Sequence, residues 1–349
     1  MQWIKLEYKR ISRWVVRNQN KLTSDRMAEA LIDNQNRDFW SEVKKVCGKS
    51  NAVPTVMDNV QGETEISELF KKKYSDLYNC VSYEKKEMDE LLCEVTEKVS
   101  KQCGSGECYC NHVISVEDVK CAVNKIKANK SGVNVDMNSN HIIHGCDELN
   151  IHLSFLYTTM MQHAYSPKEM LLSALVPIPK NRKKSLNDSN NYRSIALSSI
   201  IGKVLDNIII MKHSHVLSTS NLQFGFKPRH STTQCTYVMQ EVIDYYVQRN
   251  SSCYTLLLDA TKVFDRVQYV KLFRLLLQKG ICLSVAKLLL CLYTNQSLVV
   301  RWSGKVSEPF ECSNGIKQGG VLSPILFCIY MDELLHRLEQ SGYGCYIGN

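Results

Sequence analysis

The chain has 349 residues, of which 44% are hydrophobic, and its formal net charge is +8. This apolar fraction supports a sizeable core, and because Gly and Pro are not enriched the composition excludes a wholly disordered chain. Charged residues interrupt the long apolar runs, no signal peptide opens the chain, and the 15 cysteines are scattered. We therefore expect reduced thiols in an intracellular protein, nuclear or cytoplasmic, without a membrane partner.

Positive charge is concentrated in one segment. From Lys168 to Arg229 there are ten Lys and Arg residues but only three acidic residues. A basic block in a near-neutral chain suggests a polyanionic partner, although a solvated lysine-rich surface has the same composition.

The first 112 residues predict a helical region. Apolar residues at helical spacing indicate helices from residue 3 to about 47, and a second charged helical region covers Glu63 to about Ser100. Three cysteines and a histidine then lie between Cys103 and His112. Because their spacing matches no common zinc finger, we interpret this segment as a glycine-rich linker.

From residue 113 onward, helical and strand patterns alternate. Ser115, with Asp118 three residues later, predicts a capping box, and Ser231 predicts a second N-cap. Ser323 and Pro324 predict the start of the last helix, with serine as the cap. The predicted helices span residues 116–126, 148–164, 197–216, 231–248, 270–277, 284–294 and 323–338, and the predicted strands span 174–180, 253–258, 298–302 and 309–312.

Two motifs indicate a ligand site. The apolar stretch Cys253–Leu258 predicts a buried strand that ends directly before Asp259. A buried carboxylate is costly without a partner, and a divalent metal ion would supply one. About sixty residues later, Gln318 precedes the adjacent glycines Gly319 and Gly320, which permit close backbone approach to a ligand.

Together, the segments 259–265 and 314–324 resemble two core motifs of reverse transcriptases, in the form carried by non-LTR (LINE-type) retrotransposons. Segments 176–180, 191–197 and 223–232 extend the resemblance. It implies an α+β fold, with right-hand polymerase fingers and a partial palm over residues 113–349 and an α-helical N-terminal connector over residues 1–112. The implied activity is RNA-directed DNA polymerase, which acts on an RNA template, a DNA primer and dNTPs through two-metal nucleotidyl transfer with Mg²⁺, or alternatively Mn²⁺.

The resemblance also implies roles for residues in the two core motifs. Asp259 is the implied catalytic residue and a metal ligand. The main-chain carbonyl of Ala260 is implied to be a further ligand of the metal ion, and Ala260 is also implied to lie against the bound nucleotide. Phe264 would stack under the incoming sugar, although core packing is the alternative for this ring. We expect Asp265 to be a structural carboxylate at a helix start or paired with Arg266. The implied contacts to the incoming nucleotide and the nascent base pair are Gln318, Gly319 and Gly320.

Further implied contacts lie in the basic block. Lys180 and Arg193 would bind the triphosphate, Lys as a point charge and Arg as a bidentate fork, although a basic surface loop is the alternative. The residues implied near template and backbone phosphate are Lys203, Phe226, Lys227 and Arg229.

The sequence departs from the family pattern in places. Residues 131–137 replace the usual Pro-Gly-x-Asp-Gly turn, and the 349 residues contain no Tyr-x-Asp-Asp motif. We therefore expect a fragment truncated inside the palm, without primer extension by itself. The rival interpretation is a non-catalytic nucleic-acid-binding remnant. A third interpretation, a group II intron or telomerase-like polymerase, fits the 314–324 segment less well.

Overall fold

The structure is a computed structural model, and it describes residues 2–32, 43, 54–81, 85–104, 112–133 and 137–347. Contacts define two compact units, Met1–Pro54 and Thr55–Asn349. The first unit contains helices α1 (Gln2–Arg17) and α2 (Gln19–Ile32), as predicted. Most of the helical region predicted between residues 33 and 47 lies outside the described residues, as do residues 105–111 of the Cys103–His112 cluster.

The second unit begins inside the predicted connector. Strands β1 (Val56–Met57) and β2 (Val60–Gln61) form a short hairpin, and helices α3 (Glu63–Tyr78) and α4 (Lys85–Gly104) follow it. These elements share one compact unit with the rest of the chain. A functional division at residue 112 stays a prediction.

A mixed sheet lies at the centre of the second unit. Strand β3 (Leu172–Pro179) pairs antiparallel with β4 (Tyr192–Leu197) and parallel with β5 (Ser297–Trp302). Strand β5 also pairs antiparallel with β6 (Lys305–Val306) and β7 (Phe310–Glu311). The strands predicted at residues 174–180, 298–302 and 309–312 are confirmed, whereas β4 and β6 were not predicted.

Helices cover much of the rest of the described chain. They are α5 (Val116–Val123), α6 (Ser139–Ile143), α7 (Asp147–His163), α8 (Lys168–Leu171), α9 (Ile200–Lys212), α10 (Thr232–Val247), α11 (Tyr269–Gln278), α12 (Leu283–Thr294) and α13 (Ser323–Gln340), with 3-10 turns at Ser189–Asn191 and Phe264–Arg266.

Capping follows the sequence at two helix starts. Ser115 and Asp118 form the predicted reciprocal capping box, in which the Asp118 N–H donates to Ser115 Oγ and the Ser115 N–H donates to Asp118 Oδ2. Ser231 caps α10 in the same way. At α13 the prediction is wrong by one residue, because Leu322 occupies the N-cap position and Ser323 is already helical.

Two hydrophobic clusters form the core. Phe70, Tyr74 and Tyr78 recur every fourth residue, so they share one face of α3 and pack on the sheet, where the Phe70 ring lies 5.4 Å from Tyr192 and 5.2 Å from Trp302. The larger cluster lies mainly among helices α4, α5, α7, α9, α11, α12 and α13. Aromatic packing therefore fixes α3 against the sheet that carries the candidate site.

The strand predicted from Cys253 to Leu258 does not form. Residues 251–260 have no regular secondary structure, and Leu256, Leu257 and Leu258 are 80%, 81% and 81% exposed. A β-prone stretch becomes a strand only where a neighbouring strand pairs with its N–H and C=O groups, and no described strand does so. Asp259 consequently does not lie at the end of a sheet strand, which corrects that prediction.

Helix α10 is likewise a surface element, since none of its residues is buried. Across the described residues, each helix is either too short or insufficiently apolar to cross a lipid bilayer.

Candidate functional site

Lys180 and Arg193 lie on one face of the β3–β4 ribbon. Ile178 pairs directly with Arg193, and the N–H of Lys180 continues the ladder by donating to the main-chain oxygen of Asn191 at 2.6 Å. Lys180 is therefore a diagonal neighbour of Arg193. Both side chains are exposed, whereas the opposite face of the ribbon is buried beneath α3. This arrangement presents two positive charges to solvent together.

The glycine loop packs against the same ribbon. The N–H of Ala196 on β4 donates to the main-chain oxygen of Gln318 at 2.6 Å. Gly319 has φ +110°, and a Cβ there would stand 2.8 Å from the oxygen of Ala196. The glycine thus permits a close backbone approach, as predicted for this position, but the partner seen here is strand β4.

The loop also contacts the 3-10 turn at Phe264–Arg266. The N–H of Ile316 donates to the main-chain oxygen of Phe264 at 2.8 Å. The Asn314 side chain donates to the main-chain oxygen of Asp265 at 2.6 Å. Hydrogen bonds therefore join the two sequence motifs, at Phe264 and Asp265 rather than at Asp259.

Asp265 is the buried carboxylate of the site. It is 4% exposed, and Gln318 Nε2 lies 3.3 Å and 3.4 Å from its two carboxyl oxygens. Burial raises the pKa of Asp265, while hydrogen bonds from Tyr78 and Gln318 and the charges of Lys262 and Lys180 act against that rise. The expected pairing of Asp265 with Arg266 is not among the interactions of this carboxyl group. Tyr78 on α3 does act on it, but Tyr78 is too distant in the sequence for a local pattern to reveal this.

A second lysine accompanies Lys180. Lys73 Nζ on α3 donates to Ser189 Oγ and to Asn190 Oδ1, both at 2.8 Å, and Lys180 Nζ donates to the main-chain oxygen of Asn190 at 3.0 Å. Burial lowers the pKa of Lys73; the charges of Asp58 and Asp188 oppose this shift, whereas those of Lys180 and Lys262 add to it. Lys180 and Lys262 also act on the Asp265 carboxyl group.

Phe264 packs between aromatic rings. It stacks on Phe327 of α13 with centroids 4.5 Å apart and an interplanar angle of 19°, and it meets Phe226 edge-on at 5.8 Å. The ring is half-buried. Core packing, the alternative left open by the sequence, describes these contacts.

Asp259 and Ala260 are exposed in the irregular segment. Within the described residues, no group of three or more His, Cys, Asp or Glu side chains is arranged to hold a metal ion. Reverse transcriptases generally use divalent metal ions. The Asp259 carboxylate and the Ala260 carbonyl are oxygen donors that suit a hard cation, but they fill only part of a shell of roughly six ligands, so these two residues alone do not make a metal site.

The residues predicted to bind nucleic acid differ in their exposure and in their hydrogen-bond partners. Phe226 is 59% exposed and Arg229 is also exposed. Lys227 Nζ instead donates to the main-chain oxygens of Thr219 and Ser220. Lys203 on α9 is half-buried, and burial lowers its pKa.

A second buried acid, Asp332, lies within α13 and is 2% exposed, which the local sequence of the helix does not reveal. It accepts hydrogen bonds from the Ser220 N–H at 2.9 Å, Gln223 Nε2 at 2.8 Å and Lys279 Nζ at 3.2 Å. Burial raises its pKa, but these hydrogen bonds outweigh burial and hold the pKa below its ordinary value. Asp332 thereby fixes the segment that carries Phe226 to α13.

Comparison with known proteins places these features in a family. Residues 178–347 match the family model described as reverse transcriptase (RNA-dependent DNA polymerase). The chain is similar to the probable RNA-directed DNA polymerase from transposon X-element of Drosophila melanogaster, with 24% identity over 189 residues that cover 53% of this chain and 20% of that protein.

Two further relatives are polyproteins of R2 elements. The retrovirus-related Pol polyprotein from type-2 retrotransposable element R2DM of Drosophila melanogaster is 27% identical over 183 residues, covering 52% of this chain and 17% of that protein. The retrovirus-related Pol polyprotein from type-1 retrotransposable element R2 of Nasonia vitripennis is 26% identical over 192 residues, covering 54% and 18%. The matched residues thus span a fifth or less of each relative. This chain therefore carries a reverse transcriptase (RNA-dependent DNA polymerase) domain of the type found in non-LTR retrotransposons.

Proposed function

We propose that the chain forms fingers and part of the palm of an RNA-directed DNA polymerase, which extends a DNA primer on an RNA template with dNTPs. One observation carries the proposal. Lys180 and Arg193 share an exposed face, and the strand that carries Arg193 is hydrogen-bonded to Gln318, whose side chain contacts Asp265. Hydrogen bonds thus link the strand that carries Arg193, the glycine loop and Asp265 in sequence.

Lys180 and Arg193 are the proposed triphosphate ligands. Their side chains are exposed on the same face of the ribbon, and lysine and arginine are the side chains best suited to phosphate, as point charge and bidentate fork. Lys73 shares Asn190 with Lys180, but the charges of Asp58 and Asp188 beside it offset its own.

The nucleoside part of the ligand is proposed to meet Gln318, Gly319 and Gly320. The ring of Phe264 is the proposed surface under the sugar, and its stacking on Phe327 would fix the orientation of the Phe264 ring. Favourable contacts at these positions would orient the sugar and the base after the phosphates bind.

Mg²⁺ is the proposed cation, with Mn²⁺ as the alternative. Asp259 and the Ala260 carbonyl are its proposed protein ligands in this chain. When bound, such an ion supplies Lewis-acid activation and neutralises charge on the triphosphate.

RNA template and DNA primer are proposed to lie near Lys203, Phe226, Lys227 and Arg229. Phe226 and Arg229 offer an exposed ring and an exposed charge, which suit base stacking and phosphate contact. Lys227 would have to leave its carbonyl partners to reach a phosphate, so Phe226 and Arg229 carry more of this part of the proposal.

A non-catalytic nucleic-acid-binding protein is the second candidate function. The exposed position of Asp259 in an irregular segment favours it, because the basic ribbon needs no metal ion to attract a polyanion. The two candidates differ in one respect: a polymerase site binds the nucleotide as well as the duplex.

Nucleotide binding therefore tests the proposal. The double variant K180A/R193A should weaken binding of a fluorescent dNTP analogue at least tenfold, measured by anisotropy with saturating RNA–DNA primer–template and Mg²⁺. It should also flatten the dependence of primer–template affinity on salt concentration, because fewer phosphates are neutralised.

The matched control is K125A/K127A, which removes two exposed lysines after α5 and the same net charge. It should leave nucleotide affinity unchanged. Equal losses in both variants, or no loss in either, would assign the basic block to a solvated surface.

A further inference from the structure

Helix α3 ends on the loop that carries Gln318. The main-chain oxygen of Tyr78, its last residue, accepts hydrogen bonds from the N–H groups of Ser313 and Asn314, both at 3.1 Å. Asn314 is 0% exposed, and its side chain donates to the main-chain oxygen of Asp265. The helix, the 3-10 turn and the loop therefore form one hydrogen-bonded unit.

The hydroxyl group of Tyr78 also acts on the Asp265 carboxyl group, because it helps to hold down the pKa of that carboxyl against the effect of burial. Its hydroxyl lies 3.3 Å from Ser194 Oγ on β4, and the residue is 2% exposed. A phenol donates only one hydrogen, and the negatively charged carboxylate is the stronger acceptor. Helix α3 thus brings a buried hydroxyl group close to the carboxyl group of Asp265, although α3 precedes the segment that matches the reverse transcriptase family.

The charge state of Asp265 decides which end of the Gln318 amide faces it. An ionised carboxylate can only accept hydrogen bonds, so it selects the Nε2 end. The observed contacts of Nε2 with both Asp265 oxygens have this orientation. The Oε1 atom is then the end left for other partners, so Gln318 offers an acceptor rather than a donor.

We propose that Asp265 is a positioning residue that fixes the Gln318 amide with its oxygen toward the incoming nucleotide. This rests on the proposed function, since it assumes that Gln318 contacts the nucleotide. Helix α3 thereby belongs to the nucleotide site, and the group it helps to present suits a hydrogen-bond donor of the ligand, a hydroxyl or an amino group.

The test is a double-mutant cycle on nucleotide affinity. D265N preserves the shape of the side chain but supplies its own N–H group, so it no longer selects one end of the Gln318 amide. We expect D265N to weaken binding of the dNTP analogue about tenfold when Gln318 is present. In the Q318A background the same substitution should cost nothing further, because the group that it positions is gone.

A second variant tests the same positioning role in case D265N does not fold. Y78F removes one hydroxyl and keeps the ring packing, and it should weaken nucleotide binding in the same direction by a smaller factor. Its control is Y157F, which also removes a buried tyrosine hydroxyl, one that donates to the main-chain oxygen of Ile201. Y157F should not change nucleotide affinity.

The outcomes separate this proposal from the proposed function. If Q318A weakens binding and D265N and Y78F do not, the positioning role is overturned and the nucleotide site stands. If D265N costs as much in the Q318A background as in the wild type, Asp265 acts without Gln318 and the proposal is also overturned. If neither Q318A nor K180A/R193A changes nucleotide affinity, the proposed function itself fails.

Discussion

Gly315 stands directly against the main chain of Asp265. A Cβ added at Gly315 would lie 2.7 Å from the carbonyl oxygen of Asp265 and 2.9 Å from the ring of Tyr78, and the residue has φ +88°. Its N–H donates to the main-chain oxygen of Val267 at 2.8 Å. This close approach is what brings Gln318, three residues later, onto the Asp265 carboxylate.

The first prediction concerns this contact. Gly315→Ala should lower the free energy of unfolding by about 3 kcal/mol, because it adds a collision with backbone to the cost of a positive φ. Gly280→Ala is the control, since Gly280 has φ +82° but open space around a Cβ, and it should cost only about 1 kcal/mol. Urea unfolding followed by circular dichroism measures both, and equal costs would contradict the contact.

The second prediction concerns Asp332. Asp332→Ala should lower the free energy of unfolding by about 3 kcal/mol, because the half-buried N–H of Ser220 loses its acceptor and the ammonium of Lys279 loses its buried counter-charge. Gln223 Nε2 and Lys279 Nζ each keep a main-chain acceptor, at Cys328 and Ser218. Asp147→Ala, which removes an exposed ion pair with Lys120, should change little. If the two variants unfold alike in urea, Asp332 is not the anchor of the 220–227 segment.

The third prediction is a pH dependence at Asp206. Burial raises the pKa of its carboxyl from the ordinary 3.8 to about 6, although the charge of Lys317 and hydrogen bonds from the N–H groups of Leu322 and Val321 oppose that rise. Because the folded chain binds the proton more tightly than the unfolded chain, this group contributes stability that is complete below about pH 3.8 and is lost as the pH rises through about 6.

Asp206→Asn should remove that part of the pH dependence, since its side chain does not titrate but still offers an oxygen to the two N–H groups. The stability of the wild type relative to Asp206→Asn should therefore fall between about pH 4 and pH 7. Asp118→Asn is the control, because hydrogen bonds from Ser115 and Lys212 hold the pKa of Asp118 below its ordinary value of 3.8 despite burial. The stability that Asp118 contributes is therefore lost only at more acid pH, so the stability of the wild type relative to Asp118→Asn should stay nearly constant between about pH 5 and pH 7. Thermal unfolding should show a fall with pH for the Asp206 pair and almost none for the Asp118 pair.

The fourth prediction concerns two cysteines. Cys253 Sγ and Cys345 Sγ lie 4.0 Å apart, and the hydroxyl of Tyr246 bonds both the main-chain N–H and the oxygen of Tyr346 beside them. The thiol oxidant diamide should therefore join these cysteines readily, because the two sulfur atoms lie only about 2 Å beyond the length of a disulfide bond. Peptide mapping should find a 253–345 cross-link, and Cys253→Ser should abolish it. Random pairing with Cys235 instead would show that the two segments do not lie together.

Much of the helical structure was predictable because its signals are local. The Ser115–Asp118 box and the Ser231 cap mark helix starts through groups three residues apart, and both helices begin there. Lys180 and Arg193 were predicted as a pair, and their place on one face follows from the register of two neighbouring strands.

The sequence by itself determined the family, the longer helices and which residues carry charge or conformational freedom, since short motifs and periodicity encode these. Tertiary structure decided the rest. Cys253–Leu258 has the composition of a strand but no described partner, Asp332 is buried by a loop more than one hundred residues earlier, and Asp265 meets Tyr78 from a distant helix. Strand pairing and the burial of a charge depend on neighbours that are remote in the chain, so no local pattern predicts them.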